Sequence, residues 1–277
     1  MKWLKYVGQR VLNHRELLSK AKTKYMSCKN AKNIVWLGGV IMAQVHKGKI
    51  GWEAITKRVK QMVEIRQKYL EDIDNVHIKL QPGNSKTGAS VYTISLIPIA
   101  DCANCTECKY ACYDVCNVCF QKNVQNDRAR NSAVHKADPK RFWNEVDMQI
   151  KANYVRELRI NVGGDLTDDD FAYVAELGRR NPNTMILFFT KNYNGINKFL
   201  DDNTFPENVK SLMSAWLNME MDNRHNLPCS HVLWSDGETT SPKYGSVYCG
   251  GNCTECAYKG EGCWNLKKGE HVIFKAH

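Results

Sequence analysis

The sequence predicts an α/β fold: a parallel β/α sheet, open or curled into a partial (β/α) barrel, preceded by a helical N-terminal region. Three observations carry this expectation. Residues 1 to about 72 repeat apolar side chains at helical spacing, as in Ile55, Val59, Met62, Val63, Ile65 and Leu70 among Lys, Arg and Glu. From "NVHIKLQPGNSKTGASVYTISLIPIA" onwards the pattern turns to short β-type runs around Pro82, Gly83 and Gly88, which sets a boundary near Asp74. Beyond residue 138 strand-like and helix-like segments alternate, and such alternation implies parallel strands joined by crossovers. A chain of 277 residues with 43% hydrophobic content can bury a full core.

Taken in order, "VYTISLIPIA" reads as the first strand, followed directly by a cysteine block. "DPKRFWNEVDMQIKANY" reads as a helix, with Asp138 as its cap and Pro139 at its first position. "ELRINVGGDL" is a strand ending in glycines, "TDDDFAYVAELGRRNP" a helix capped by Thr167, and "TMILFFTKN" a strand. "GINKFLDDN" is a short helix, "VKSLMSAWLN" a strand and "SHVLWSDG" another. Three regions follow: a basic helical region over 1–74, a β/α core over 75–248, and a C-terminal cysteine segment over 249–277. In β/α folds ligands sit at the carboxyl ends of strands. Both the cysteine block and "GGD" occupy such positions.

The formal charge of +10 points to a negatively charged partner, with the excess concentrated in the basic first region. There Trp3, Tyr6 and Tyr25 interleave with Lys and Arg, a composition suited to phosphate contacts and base stacking and equally to a solvated helical face. The longest apolar stretch, "IVWLGGVIMAQV", is too short to span a bilayer, and a cytoplasmic protein without a membrane partner is the expectation. In a reducing compartment the 12 cysteines are thiols or metal ligands rather than disulfides.

Six of them fall between residues 101 and 120. Cys102-x2-Cys105-x2-Cys108-x3-Cys112 has the spacing of the bacterial ferredoxin run, with Tyr113 where that run carries proline. Cys112 also opens a second pattern, Cys112-x3-Cys116-x2-Cys119, in which three ligands leave one iron of a [4Fe-4S] cluster open. A third group, Cys249, Cys253, Cys256 and Cys263, repeats the x3, x2 spacing and adds a fourth thiol. Zinc competes with iron-sulfur at that C-terminal site, because four thiolates including a C-x2-C pair also suit a tetrahedral ion. Cys229 is a spare thiol. "GNSKTG" lacks the glycines of a Walker loop and reads as a turn. His271 and His277 flank a terminal apolar stretch best read as a strand, and Trp216, Trp234 and Trp264 stand near strand ends.

The Cys112, Cys116, Cys119 spacing resembles the three-cysteine motif of radical SAM enzymes. In that family a later strand ends in Gly-Gly-Glu, which holds the methionyl amine of S-adenosylmethionine. The resemblance therefore implies cofactor binding at Gly163, Gly164 and Asp165, with Asp in place of the longer Glu. More of the chain resembles the phage gene product 88 family, through "NSKTG", "ECKYACY", "RINVGGD", "FFTK", "SAW", "CTECAYKGEGCW" and "VIFKAH", over about residues 84–277. In that pattern the thiols matching Cys102, Cys108, Cys112, Cys256 and Cys263 stand out. The expected function is a radical SAM-like iron-sulfur enzyme with one or more [4Fe-4S] clusters. The alternative is an iron-sulfur or zinc protein without SAM chemistry, acting in electron transfer or nucleic-acid binding. A reductant protein and nucleic acid are the expected partners, in the host cytoplasm for a phage-encoded chain.

Overall fold

The computed structural model describes residues 50–83, 87–88, 90–105 and 107–276. The expectation of helix and phosphate contact for residues 1–49 lies outside them. Residues His46–His277 belong to one compact unit.

Helix α1 (Trp52–Glu71) buries Ile55 and Met62, so the spacing seen in the sequence does face a core. Strand β1 (Val91–Ile94) leads into the cysteine block, which forms a 3-10 turn over Glu107–Ala111 and a π-turn over Asp114–Val118. Helices α2 (Lys122–Ala137) and α3 (Pro139–Ala152) follow. The Asp138 side chain accepts a hydrogen bond from the Arg141 backbone N–H at 2.9 Å, with Pro139 in the first turn, as the sequence indicates.

Then come β2 (Glu157–Ile160), α4 (Asp170–Arg180), β3 (Met185–Thr190), α5 (Tyr193–Asp202) and β4 (Val209–Ser214). The chain closes with β5 (Cys229–Leu233), β6 (Ser246–Tyr248), α6 (Cys253–Lys259) and β7 (His271–Lys275). At α4 the cap is reversed: Asp170, inside the first turn, reaches back to accept from the Thr167 N–H and hydroxyl, both at 2.8 Å. The sequence had Thr167 as the acceptor.

The seven strands form one sheet in the order β1-β2-β3-β4-β5-β7-β6, and every neighbouring pair is parallel. The fold is thus the parallel β/α architecture the alternation implied. Because strand side chains alternate, each strand serves two faces. One face, with Ile94, Leu158, Ile160, Ile186, Phe188 and Met213, packs against α2 to α5 through Val134, Phe142, Val146, Phe171, Val174 and Ile196. The opposite face, with Val91, Leu187, Leu212 and Val272, is covered by the C-terminal segment through Trp264, Cys253, Cys256 and Cys263. α1 stacks outside α2, where Met62 meets Ile97, Cys119 and Ala129.

The loop before β1 joins that C-terminal segment. The Thr254 N–H donates to the Thr87 carbonyl at 3.0 Å, and a Cβ on Gly88 (φ +86°) would collide with Thr254. Thr87 and Gly88 therefore lie against α6, which explains the glycine at 88. Among the described residues no helix is long and apolar enough to cross a membrane.

Candidate metal and ligand site

A cavity of about 720 Å³ opens where the strands end. Its wall draws on the cysteine block after β1, on Asn161 to Asp165 after β2, on Lys191 after β3, on Trp216 after β4 and on Trp234 after β5. All of these lie at carboxyl ends of parallel strands, the position a β/α fold reserves for ligands.

Cys102, Cys105, Cys108, Cys112 and Cys116 all line the cavity. Their loop is entered through Ile99, a β-branched residue at φ +70°, whose N–H donates to Cys102 Sγ at 3.2 Å. Cys105 Sγ and Cys108 Sγ are 3.7 Å apart. The hydrogen bond from Cys105, followed by the charge of Lys191, lowers the Cys108 thiol to about 7, against the opposing effect of burial. Cys105 is driven upward by its hydrogen bonds to Cys102 and Cys108 and by burial. Thiols this close cannot all ionise together without a cation between them, which is the condition a metal or cluster would relieve. Cys112 is raised by burial and by the nearby charges of Cys102, Asp114 and Cys108.

Cys119 is placed elsewhere. It is fully buried against Met62, Ile97 and Ala129, and its thiol donates to Asp114 Oδ2 at 3.3 Å. Burial and the Asp114 charge push it upward. Asp114 is 1% exposed and is held by Arg128, itself 2% exposed, at 3.0 and 3.2 Å. The spacing that groups Cys112, Cys116 and Cys119 in sequence is thus divided in space: two thiols face the cavity and the third faces the core.

The "GGD" residues sit at the cavity, but the space beside both glycines is filled and the Asp165 carboxylate is engaged. A Cβ on Gly163 would stand 2.0 Å from Asp114 Oδ2, and one on Gly164 (φ +82°) would stand 2.7 Å from Leu96 Cβ. Asp165 accepts from the Leu166 N–H, the Thr190 hydroxyl and the Lys191 N–H at 2.7 to 2.8 Å, tying the end of β2 to the end of β3. Burial raises its carboxyl despite those donors.

The loop is braced from three sides. Arg66 Nη1 donates to Asp101 Oδ1 at 2.8 Å, Arg58 Nη1 donates to the Val115 carbonyl at 2.6 Å, and Asn104 Nδ2 donates to the Lys191 carbonyl at 2.8 Å. Two arginines of basic α1 therefore hold the cysteine block. Arg159 and Asn161 of "RINVGGD" and Lys191 of "FFTK", given no role by the sequence, line the cavity, and Asp114 and Arg128, outside any ligand motif, anchor its wall.

Cys249, Cys253, Cys256 and Cys263 do not line the cavity, but they pack on the sheet face opposite α2 to α5, the face that also carries the cavity residues Arg159, Phe189 and Phe274. Burial raises Cys263 to about 12, while Arg159, whose Nη1 lies 3.8 Å from Cys253 Sγ, acts in the other direction. Trp264 packs with these thiols, whereas Trp216 and Trp234 meet edge to face at 5.4 Å in the cavity wall. Cys229 is buried beside Asn223, and His271 pairs with His231 at 2.9 Å. His277 lies outside the described residues. Among the described residues no three His, Cys, Asp or Glu side chains are placed to share one metal ion. A cluster makes a different demand, since each thiolate binds a separate iron.

Fold and site together define a parallel β/α protein with a thiol-lined cavity at the carboxyl face of its sheet. The chain belongs to the gene product 88 family, whose model matches residues 57–245. The match begins within α1 and stops before the C-terminal cysteine segment, so it extends further toward the N-terminus and less far toward the C-terminus than the motifs suggested. No curated protein and no solved structure matches the chain.

Proposed function

We propose that the protein is an iron-sulfur enzyme in which Cys102, Cys105, Cys108 and Cys112 hold a [4Fe-4S] cluster at the edge of a substrate cavity. The observation that carries this reading is that these four thiols, spaced as in a ferredoxin run, line one cavity with the ends of five parallel strands. When bound and reduced, such a cluster would supply an electron; reductive cleavage of S-adenosylmethionine, the radical SAM-like version, would require three of these thiols as ligands so that one iron stays open. This chain's own residues would orient and enclose the reactants: Asn104 and Asp165 fix the loops, and Lys191 places a positive charge beside Cys108. Cys116 also lines the cavity, while Cys119 serves the wall.

An iron-sulfur protein without SAM chemistry is the second reading, favoured by the engagement of Asp165 with Thr190, Lys191 and Leu166. A second cluster at Cys249, Cys253, Cys256 and Cys263 accompanies either version; a zinc ion there would require the four thiols to close on one point, an arrangement they do not have among the described residues. A cytoplasmic setting with a reductant protein as partner fits both. Lys57, Lys60 and Lys68 remain exposed on α1 for a nucleic-acid partner.

Anaerobic reconstitution tests the reading. The expected result is iron and sulfide bound to the chain, reduced by one cluster's content in Cys105→Ser and unchanged in Cys119→Ser. A colourless protein that takes zinc alone would overturn it. Release of 5'-deoxyadenosine from S-adenosylmethionine by the reduced protein distinguishes the first version from the second.

A further inference from the structure

The charges around the cavity do not balance, and the imbalance has a definite location. Three carboxylates line it, and each is already engaged: Asp114 with Arg128, Asp127 with Lys79 at 3.3 Å and Gln81 at 2.8 Å, and Asp165 with Thr190 and backbone N–H groups. Three cations of the wall, Arg159, Lys191 and Lys275, have no carboxylate within 4.0 Å among the described residues, and the first two lie beside the aromatic wall. Arg159 lies over the Phe189 ring at 5.0 Å and its Nη1 donates to Cys253 Sγ at 3.8 Å, while its Nε is buried without a hydrogen-bond partner among the described residues. Lys191 Nζ donates to Ser214 Oγ at 2.9 Å, which leaves two of its three donors open.

Between them in the chain stands Asn161, 8% exposed, with a side-chain nitrogen that has no partner. Its backbone is left-handed at φ +54°, anchored by its N–H on the Ile94 carbonyl at 2.8 Å. An unsatisfied buried amide costs about 1–3 kcal/mol, so its retention in a left-handed turn at a cavity wall signals a group that it meets when the cavity is filled. The remaining wall is aromatic. Trp216 carries Lys191 Nζ 5.3 Å above its ring and meets Trp234 edge to face.

We propose that this part of the cavity is a receptor for a small molecule bearing an oxyanion, carboxylate or phosphate, on a flat unsaturated ring. Arg159 and Lys191 hold the oxyanion, Asn161 donates to it, and Trp216 and Trp234 flank the ring. The inference deepens the proposed enzyme by naming its substrate class. It is tested by binding alone, so protein without iron fails the cluster reading and still decides this one.

The experiment is a titration of the full chain, followed by tryptophan fluorescence and calorimetry, with two matched pairs: adenosine monophosphate against adenosine, and benzoate against benzyl alcohol. A charge-assisted hydrogen bond is worth roughly 1.5–3 kcal/mol, so the charged member of one pair should bind at least about tenfold more tightly than its neutral counterpart. The pair that responds identifies phosphate or carboxylate. Arg159→Gln and Lys191→Gln should each remove that advantage. Asn161→Gly, which deletes the amide while suiting the left-handed backbone, should reduce it in a protein that melts normally. No selectivity in either pair, or selectivity that survives all three substitutions, would overturn the proposal.

Discussion

The tetrapeptide Cys-Thr-Glu-Cys occurs twice, at 105–108 in the central block and at 253–256 in the C-terminal segment. The two copies stand on different supports. The central copy lies in an irregular loop held by buried charge: Arg66 on Asp101, Arg58 on the Val115 carbonyl, and the Arg128–Asp114 pair behind Cys119. The C-terminal copy begins a seven-residue helix that rests on Trp264 and the apolar face of the sheet. Identical spacing thus provides identical ligand chemistry but not the same stability. Rigid buried polar bracing suits thiols that must keep a fixed geometry at an open cavity, whereas apolar packing suits a closed centre away from it.

The largest effect should come from breaking the central brace. Arg128→Met leaves the Asp114 carboxylate buried and unpaired, and removing one partner of such a pair costs about 3–5 kcal/mol. Urea unfolding should show that loss, and the double variant Arg128→Met, Asp114→Asn should recover part of it. An unchanged midpoint in the single variant would mean that the charge pair does not hold the block.

A smaller effect separates the regions by glycine. Gly163→Ala places a Cβ 2.0 Å from Asp114 Oδ2, and such overpacking costs about 1–3 kcal/mol. Gly250→Ala, where an added Cβ meets nothing within 4 Å, should stay within about 0.5 kcal/mol of the parent chain. Equal denaturation midpoints for the two would erase the contrast between a crowded central site and an open C-terminal one.

The same contrast decides how much was legible in the sequence. β3 and β4 could be read from "TMILFFTKN" and "VKSLMSAWLN", because apolar runs of this length bounded by polar turns have few other solutions. The placement of the cysteine block and of Gly163 to Asp165 at one cavity followed from the β/α alternation. α2 gave no such signal. It buries Gln125, Asp127, Arg128, Asn131, Ser132 and His135, so the apolar periodicity that betrays a helix is missing where the core it faces is polar. α6 lay inside a stretch that reads as a metal motif, and β6 is only three residues long. Cys119 was grouped with Cys112 and Cys116 because spacing records neighbours along the chain. The turn that aims its thiol at Asp114 is a tertiary outcome. Arg159 and Asn161 were part of the quoted "RINVGGD", but their place in the cavity wall followed only from the strand's register, since alternation puts them on the cavity side and Leu158 and Ile160 on the helix side.

The smallest predicted effect bears on how the C-terminal thiols are held. Asn252 caps α6 by accepting from the Glu255 N–H at 3.1 Å, and the helix ends at Gly260 in the left-handed conformation. A helix this short has little propensity of its own, so its cap and its packing decide whether it stays formed. Asn252→Ala should cost about 1 kcal/mol, which is roughly a fivefold rise in the open fraction. If the C-terminal segment opens locally while the core stays folded, alkylation of Cys253 and Cys256 should accelerate by that factor, with Cys102 and Cys105 unaffected. Faster labelling at both sets would show instead that the two regions unfold as one, because the backbone bond from Thr254 to Thr87 couples α6 to the start of β1. The pattern of labelling therefore separates an independently attached thiol centre from one built into the core.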